Sequence, residues 1–238
     1  MLILALDTCD ARGSVAVLRD ETLLACQRHD DAEDYAAWLL PAVQRVLAES
    51  SVRLSDVDVF AAAAGPGSFT GLRVGLASVK AWAEAYGRPV APVSRLEALA
   101  HQVGESSGLV APFVDARREQ VFGGLYRRTG EDLRLVGQEA VISPAAFIDL
   151  VSREAGAQRV VWPSLDPGCL TKEAAWASRA ASGDAIVTVE PAVAVAIGRL
   201  AFRRARDGRL SDALTLDANY VRRSDAEIFW KGGPAHGR

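Results

Sequence analysis

The feature that most constrains this chain is an order of elements that occurs twice. Residues 2–8 ("LILALDT") form a buried apolar run, residues 14–19 ("SVAVLR") alternate, and "ETLLACQR" follows after a short turn, so three strands form an antiparallel meander. Residues 34–47 carry Tyr35, Trp38, Leu39, Ala42, Val43, Val46 and Leu47 at helical spacing, through Pro41, which predicts a kink. A strand "DVDVFAAAA", a glycine turn, a helix over about 69–86, a strand "PVAPV" and a helix over "RLEALAHQV" complete the first round, the last opened by Ser94 and Glu97 as a capping box. The order then restarts. Residues 108–116, 119–128 and 133–142 read as three strands, Ser143 and Pro144 open a helix, and "RVVW" is a strand. After a less regular stretch near 163–183 come a strand "AIVTV" and a helix from Glu190 and Pro191 to about Arg206.

Two such units in tandem resemble the actin-like ATPase (ASKHA) fold of sugar kinases and Hsp70. That fold has two RNase H-like α/β lobes, each of three antiparallel strands followed by alternating helices and strands. The expected lobes are residues 1–100 and 101–238, with the last helix (about 191–207) returning to pack on the first lobe and a cleft between the two.

Half of the 238 residues are apolar and 24% are charged, which suits a globular chain with a sizeable core. The net charge of −3 gives no whole-chain pull toward nucleic acid. No apolar run approaches the ~18 residues of a membrane span and "MLILALDTCD" lacks the basic start of a signal peptide, so a cytoplasmic protein without a membrane partner is expected. Cys9, Cys26 and Cys169 are widely separated and read as reduced thiols.

"GPGSFTGLRVG" (residues 65–75) invites a phosphate-binding reading. A P-loop needs Gly-Lys-Ser/Thr, but Gly71 is followed by Leu72 and Arg73. A dinucleotide fingerprint needs its third glycine three residues after the second, whereas Gly67 and Gly71 are four apart. What is left is a helix start able to attract any anion, with Arg73 nearby. The packing reading explains more: Gly71, Gly75, Ser78 and Trp82 recur at spacings of four, three and four. Such a strip admits a close neighbour, and each helical glycine costs up to ~1 kcal/mol, which the close packing should offset. Spacing alone leaves open whether that neighbour is this chain's own sheet, its helix over 34–47, or a partner.

In actin-like ATPases an acid ends the first strand of each unit and a glycine two residues later admits the phosphates. The matching acids are Asp7 and Asp115, but Cys9 and Arg117 stand in the glycine positions, so an ATPase is disfavoured and each aspartate reads as a turn residue. Asp7, Thr8, Asp115 and Arg117 remain the candidates for contact with an anion or nucleotide. The three histidines, His29, His101 and His236, form no metal motif, and no Gly-x-Ser-x-Gly elbow surrounds Ser68. No catalytic or metal-ligating residue is assigned. Arg199, Arg203, Arg204, Arg206 and Arg209 read either as the solvated end of the last helix or as contacts for RNA phosphates.

"LALDTCDARGSVAVL", "AAGPGSFTGLRVGLASVKAWA", "PVSRLEALA" and "DARREQVF" together resemble the TsaB (YeaZ) family, across nearly the whole chain and in order. That family is the dimerisation subunit of the bacterial machinery that makes threonylcarbamoyladenosine beside the tRNA anticodon, and a distant paralogue of the catalytic subunit, TsaD. The resemblance implies that the metal-binding histidines of the paralogue are replaced here by Ser94 and Ala98. It also implies that the helices over 34–47 and 69–86 dock on the partner or on a second copy, with Trp38, Leu39, Gly71, Leu72, Gly75, Leu76, Ser78, Val79 and Trp82 at the contact. The implied partners are a TsaD-like transferase, a TsaE-like ATPase and a second copy, with tRNA met indirectly; ATP, ADP and metal belong to partner subunits or to the complex interface. The departures are "RHDDAEDYAAWLLP" before the first helix and Val221 in the tail "ANYVRRSDAE". The rival readings are a stand-alone kinase or ATPase of the same fold and, from old naming of the wider family, a peptidase.

Overall fold

A computed structural model describes residues 1–29, 34–104, 107–219 and 221. Residues 30–33 of the acidic departure, and of the tail Tyr220 and everything past Val221, lie outside the described residues, as does His236.

The first sheet runs β3-β2-β1-β4-β5, from β1 (Leu2–Asp7), β2 (Ser14–Arg19), β3 (Thr22–Arg28), β4 (Val59–Ala63) and β5 (Val90–Val93). The first three strands are antiparallel, and β4 and β5 add in parallel beside β1. Helices on both faces explain why β1 and β4 are apolar at nearly every position rather than alternating. Helices α1 (Tyr35–Glu49) and α2 (Phe69–Tyr86) pack on this sheet and on each other, and α1 runs through an exposed Pro41 without interruption.

The second sheet repeats the plan with β6 (Gly108–Val110), β7 (Phe113–Arg117), β8 (Gln120–Thr129), β9 (Asp132–Ile142), β10 (Val160–Ser164) and β11 (Ala185–Thr188). The single strand expected over 108–116 is two short ones, because Pro112 has no N–H to donate and the ladder breaks at Ala111–Pro112. The stretch expected to be irregular near 163–183 contains α5 (Gly168–Thr171) and α6 (Ala174–Ala181), which with α4 (Pro144–Ala155) cover this sheet. Trp162 is fully buried there, edge-on to Phe147 and Trp176 at 5.5 and 5.4 Å. Its indole N–H donates to Asp184, whose carboxylate also receives Arg179.

The final helices change places. Helix α3 (Arg95–His101), the end of the first round, reaches β8, β9 and β10, while α7 (Val193–Arg206), the end of the second, lies against β1, β2, β4 and β5. Helix α7 starts later than Glu190 and Pro191 suggest, because Ser14 of β2 supplies the cap by accepting from the Ala194 N–H at 3.0 Å. The chain then pairs Ser211 with Val90 of β5, and the Asn219 N–H donates to the Ala64 carbonyl.

Candidate functional site

A cleft of about 960 Å³ opens between the lobes, lined on one side by the ends of β1 and α2 and on the other by the β7–β8 hairpin. Asp7 closes β1 with its side chain fully buried; its Oδ1 accepts the Cys9 N–H at 3.0 Å, the turn bond expected of it. Its Oδ2 carries what the sequence reading missed. Arg95, 1% exposed, donates Nε to Asp7 Oδ2 at 3.1 Å and a second nitrogen to Asp10 Oδ2 at 3.3 Å. Burial acts to raise the Asp10 carboxyl, but Arg95, the Ala11 amide and Arg12 outweigh it and hold it below its ordinary value. The signal for this pair was an arginine in the first turn of a helix, the wrong end for the macrodipole, inside an apolar run.

The glycines are explained at the same place. Thr8, also buried, donates its hydroxyl to the Gly71 carbonyl at 2.7 Å. A Cβ on Gly67 would fall on Cys9, one on Gly71 on the Thr8 carbonyl and one on Gly75 on the Thr8 hydroxyl. The run therefore lets the loop and α2 close onto the end of β1, and the neighbour of Gly71 and Gly75 is this chain's own strand. Of the residues that the family resemblance puts at a partner contact, Trp38, Leu39, Gly71, Leu72, Gly75, Leu76 and Val79 are buried by the rest of this chain. Ser78 bonds back to the Val74 carbonyl at 2.8 Å, and Trp82 tilts against Phe60 at 5.9 Å; both are half-buried. The outward faces of the two helices are other residues: Ala36, Ala37, Leu40, Pro41 and Gln44 on α1, and Arg73, Ala77, Ala81 and Ala85 on α2. Helical period shows that a face is buried, not what covers it.

Across the cleft, Asp115 Oδ1 accepts the Arg117 N–H at 2.7 Å, as a turn aspartate does. Arg117 has φ of 61°, so the position expected to want glycine does adopt the left-handed conformation, with an arginine bearing its cost. Ser94 caps α3 by accepting from the Leu96 and Glu97 N–H groups, and its hydroxyl bonds to Glu139, which also receives Tyr126 and Asn219. The expected capping box is only half present, because Glu97 turns to Arg204 at 2.5 Å. Ala98 is fully buried. Among the described residues no group of three His, Cys, Asp or Glu side chains is placed to hold a metal ion. Three arginines of α7 are engaged as well: Arg203 with Glu21 at 2.8 Å, Arg204 with Glu97, and Arg199 with the Glu21 carbonyl at 3.3 Å. No described helix is long and apolar enough to cross a membrane.

Two lobes of one topology around a cleft define a protein of the actin-like ATPase fold. The ROK hexokinase of Thermus thermophilus shares that fold, with a TM-score of 0.51 at 14% identity over 87% of this chain and all of that one. The family model described as "TsaD: tRNA N6-adenosine threonylcarbamoyltransferase" matches residues 29–164. The chain is 32% identical over 154 residues, 65% of its length and 67% of the other, to the tRNA threonylcarbamoyladenosine biosynthesis protein TsaB of Bacillus subtilis. Its structure matches YeaZ from Pseudomonas aeruginosa with a TM-score of 0.70 at 29% identity, over 92% of this chain and 99% of that one. The chain belongs to the TsaB (YeaZ) family, a paralogue of TsaD.

Proposed function

We propose that this chain is a non-catalytic subunit of the tRNA threonylcarbamoyladenosine machinery, which binds and organises a TsaD-like transferase through the outward faces of α1 and α2. The observation that carries the reading is the sealed Asp7–Arg95 pair: the acid that ends β1 is already satisfied by a cation of the chain's own. Cys9 packed against Gly67 adds bulk where phosphates would have to approach. Meanwhile α1 and α2 leave Leu40, Pro41, Ala77 and Ala81 uncovered, a small apolar surface of the kind a helix pair meets in a bundle. In this reading the transfer of the threonylcarbamoyl group to adenosine, with its metal and nucleotide, belongs to the partner. A TsaE-like ATPase, a second copy of this chain and tRNA join through the complex.

The test is titration calorimetry of the chain against the transferase from the same cell, with transfer activity followed in the mixture. Binding, together with activity only when both are present, is the expected result. Transfer by this chain alone, or tight magnesium-dependent ATP binding lost in Asp115→Asn, would overturn it in favour of a stand-alone enzyme.

A further inference from the structure

We propose that Arg12 is a latch that fixes the angle between the two lobes. Its guanidinium, in the turn between β1 and β2, donates to Asp10 Oδ2 at 3.1 Å on its own lobe. It also donates to Asp166 Oδ2 at 2.6 Å and to the Leu165 carbonyl at 3.2 Å on the other lobe. Both ends are held in rigid frames. On the first lobe Asp10 is fixed by Arg95, itself fixed by buried Asp7, so that Asp7, Arg95, Asp10, Arg12 and Asp166 form one run of alternating charge. On the second, Asp166 makes the bend between β10 and α5: its N–H donates to Ser164 Oγ at 2.9 Å and its carbonyl accepts from Cys169 N–H at 3.3 Å.

The two halves of the run differ in access to water. Arg95 and Asp7 are sealed at 1% and 0% exposure, whereas the Arg12 and Asp166 side chains are 37% and 32% exposed. The outer link can therefore break and re-form while the inner pair stays closed. Charged hydrogen bonds of this geometry are directional, so three acceptors on two bodies set a relative orientation as well as a separation. Helix α3 also contacts β8, β9 and β10, so release of the latch should leave the lobes joined and change only the width of the cleft.

The test uses the whole chain and the variant Asp166→Asn, which removes one charge from the second-lobe end and leaves Asp10 and Arg95 in place. Hydrogen exchange and small-angle scattering are compared at about 0.1 M and 1 M salt, where the screening length falls from roughly 10 to 3 Å. At the lower salt, amides of residues 8–13 and 113–117 should exchange about fivefold faster in the variant, the gain of losing a partly exposed ion pair. The radius of gyration should rise. Wild type at the higher salt should match the variant, which itself responds little, and Arg12→Lys, which keeps the charge but not the planar fork of two nitrogens, should fall between. Unchanged exchange and scattering overturn the latch. So does an acceleration that is uniform through β4, since that marks an ion pair which stabilises without setting an angle. Should Asp166→Asn fail to fold, Arg12→Lys carries the same comparison.

Discussion

Arg95 and Asp7 meet at 3.1 Å with neither side chain reached by solvent, one from the first turn of α3 and the other from the end of β1. Such a pair is costly to break and cheap to replace, because its attraction mainly offsets the desolvation of two charges. Arg95→Met should therefore destabilise the chain by about 3–5 kcal/mol by leaving the buried Asp7 side chain without its cation. Asp7→Asn with Arg95→Met should recover most of that in urea unfolding. A double variant as unstable as the single one would show that packing of the guanidinium, and not its charge, is what matters.

At Gly75 two effects oppose one another. Alanine in a helix gains up to ~1 kcal/mol over glycine, while forcing a methyl group onto a packed contact costs ~1–3 kcal/mol. The Cβ would land on the Thr8 hydroxyl, which is held in place by its bond to the Gly71 carbonyl, so the cost should win and Gly75→Ala should destabilise. Gly75→Leu should not fold. In a Thr8→Ala background the penalty for Gly75→Ala should shrink or change sign, and a double-mutant cycle of unfolding free energies reads that coupling directly.

Leu40 is 55% exposed on α1. Leu40→Asp should leave stability within about 0.5 kcal/mol, as surface changes do, yet weaken binding of the transferase by roughly tenfold or more if the α1 face is the docking surface. Equal affinity with an intact fold would move the docking surface off this helix.

His101 gives a pH dependence of definite sign. Burial, then the cations Arg203, Arg128 and Arg199, push its pKa down to about 4 against an ordinary 6.5, with Glu21 opposing. The folded chain therefore holds His101 neutral while the unfolded chain takes up a proton. This contribution is fully present above about pH 6.5 and is lost as pH falls through 4, by up to about 3 kcal/mol. Stability measured from pH 7 to 4 should drop more steeply in wild type than in His101→Gln; parallel curves would remove His101 as a source of acid sensitivity.

Strand and helix order was legible because periodicity reports local burial, apart from the break of the 108–116 strand at Pro112 and the helices α5 and α6. What escaped was set by residues distant in sequence. The cap of α7 is Ser14, and the partner of Arg95 is Asp7, so neither leaves a mark within its own segment. The strip of Gly71, Gly75, Ser78 and Trp82 was visible, but its neighbour was not: the same spacing serves a strand end inside the molecule as well as a helix outside it. At Arg117, where the actin-like plan expects a glycine, the backbone adopts the conformation glycine favours although the residue is arginine.

The exchange of α3 and α7 also has a consequence during synthesis. Strands β1 to β5 leave the ribosome first, but the face that α7 covers, including Leu18 against Gly198, stays bare until residue 206 has followed. At about 5–20 residues per second, that leaves an apolar sheet uncovered for roughly 5–20 s. A nascent chain stalled between the lobes is thus the species that chaperones should bind, and the N-terminal lobe, although made first, cannot mature before the second is nearly complete.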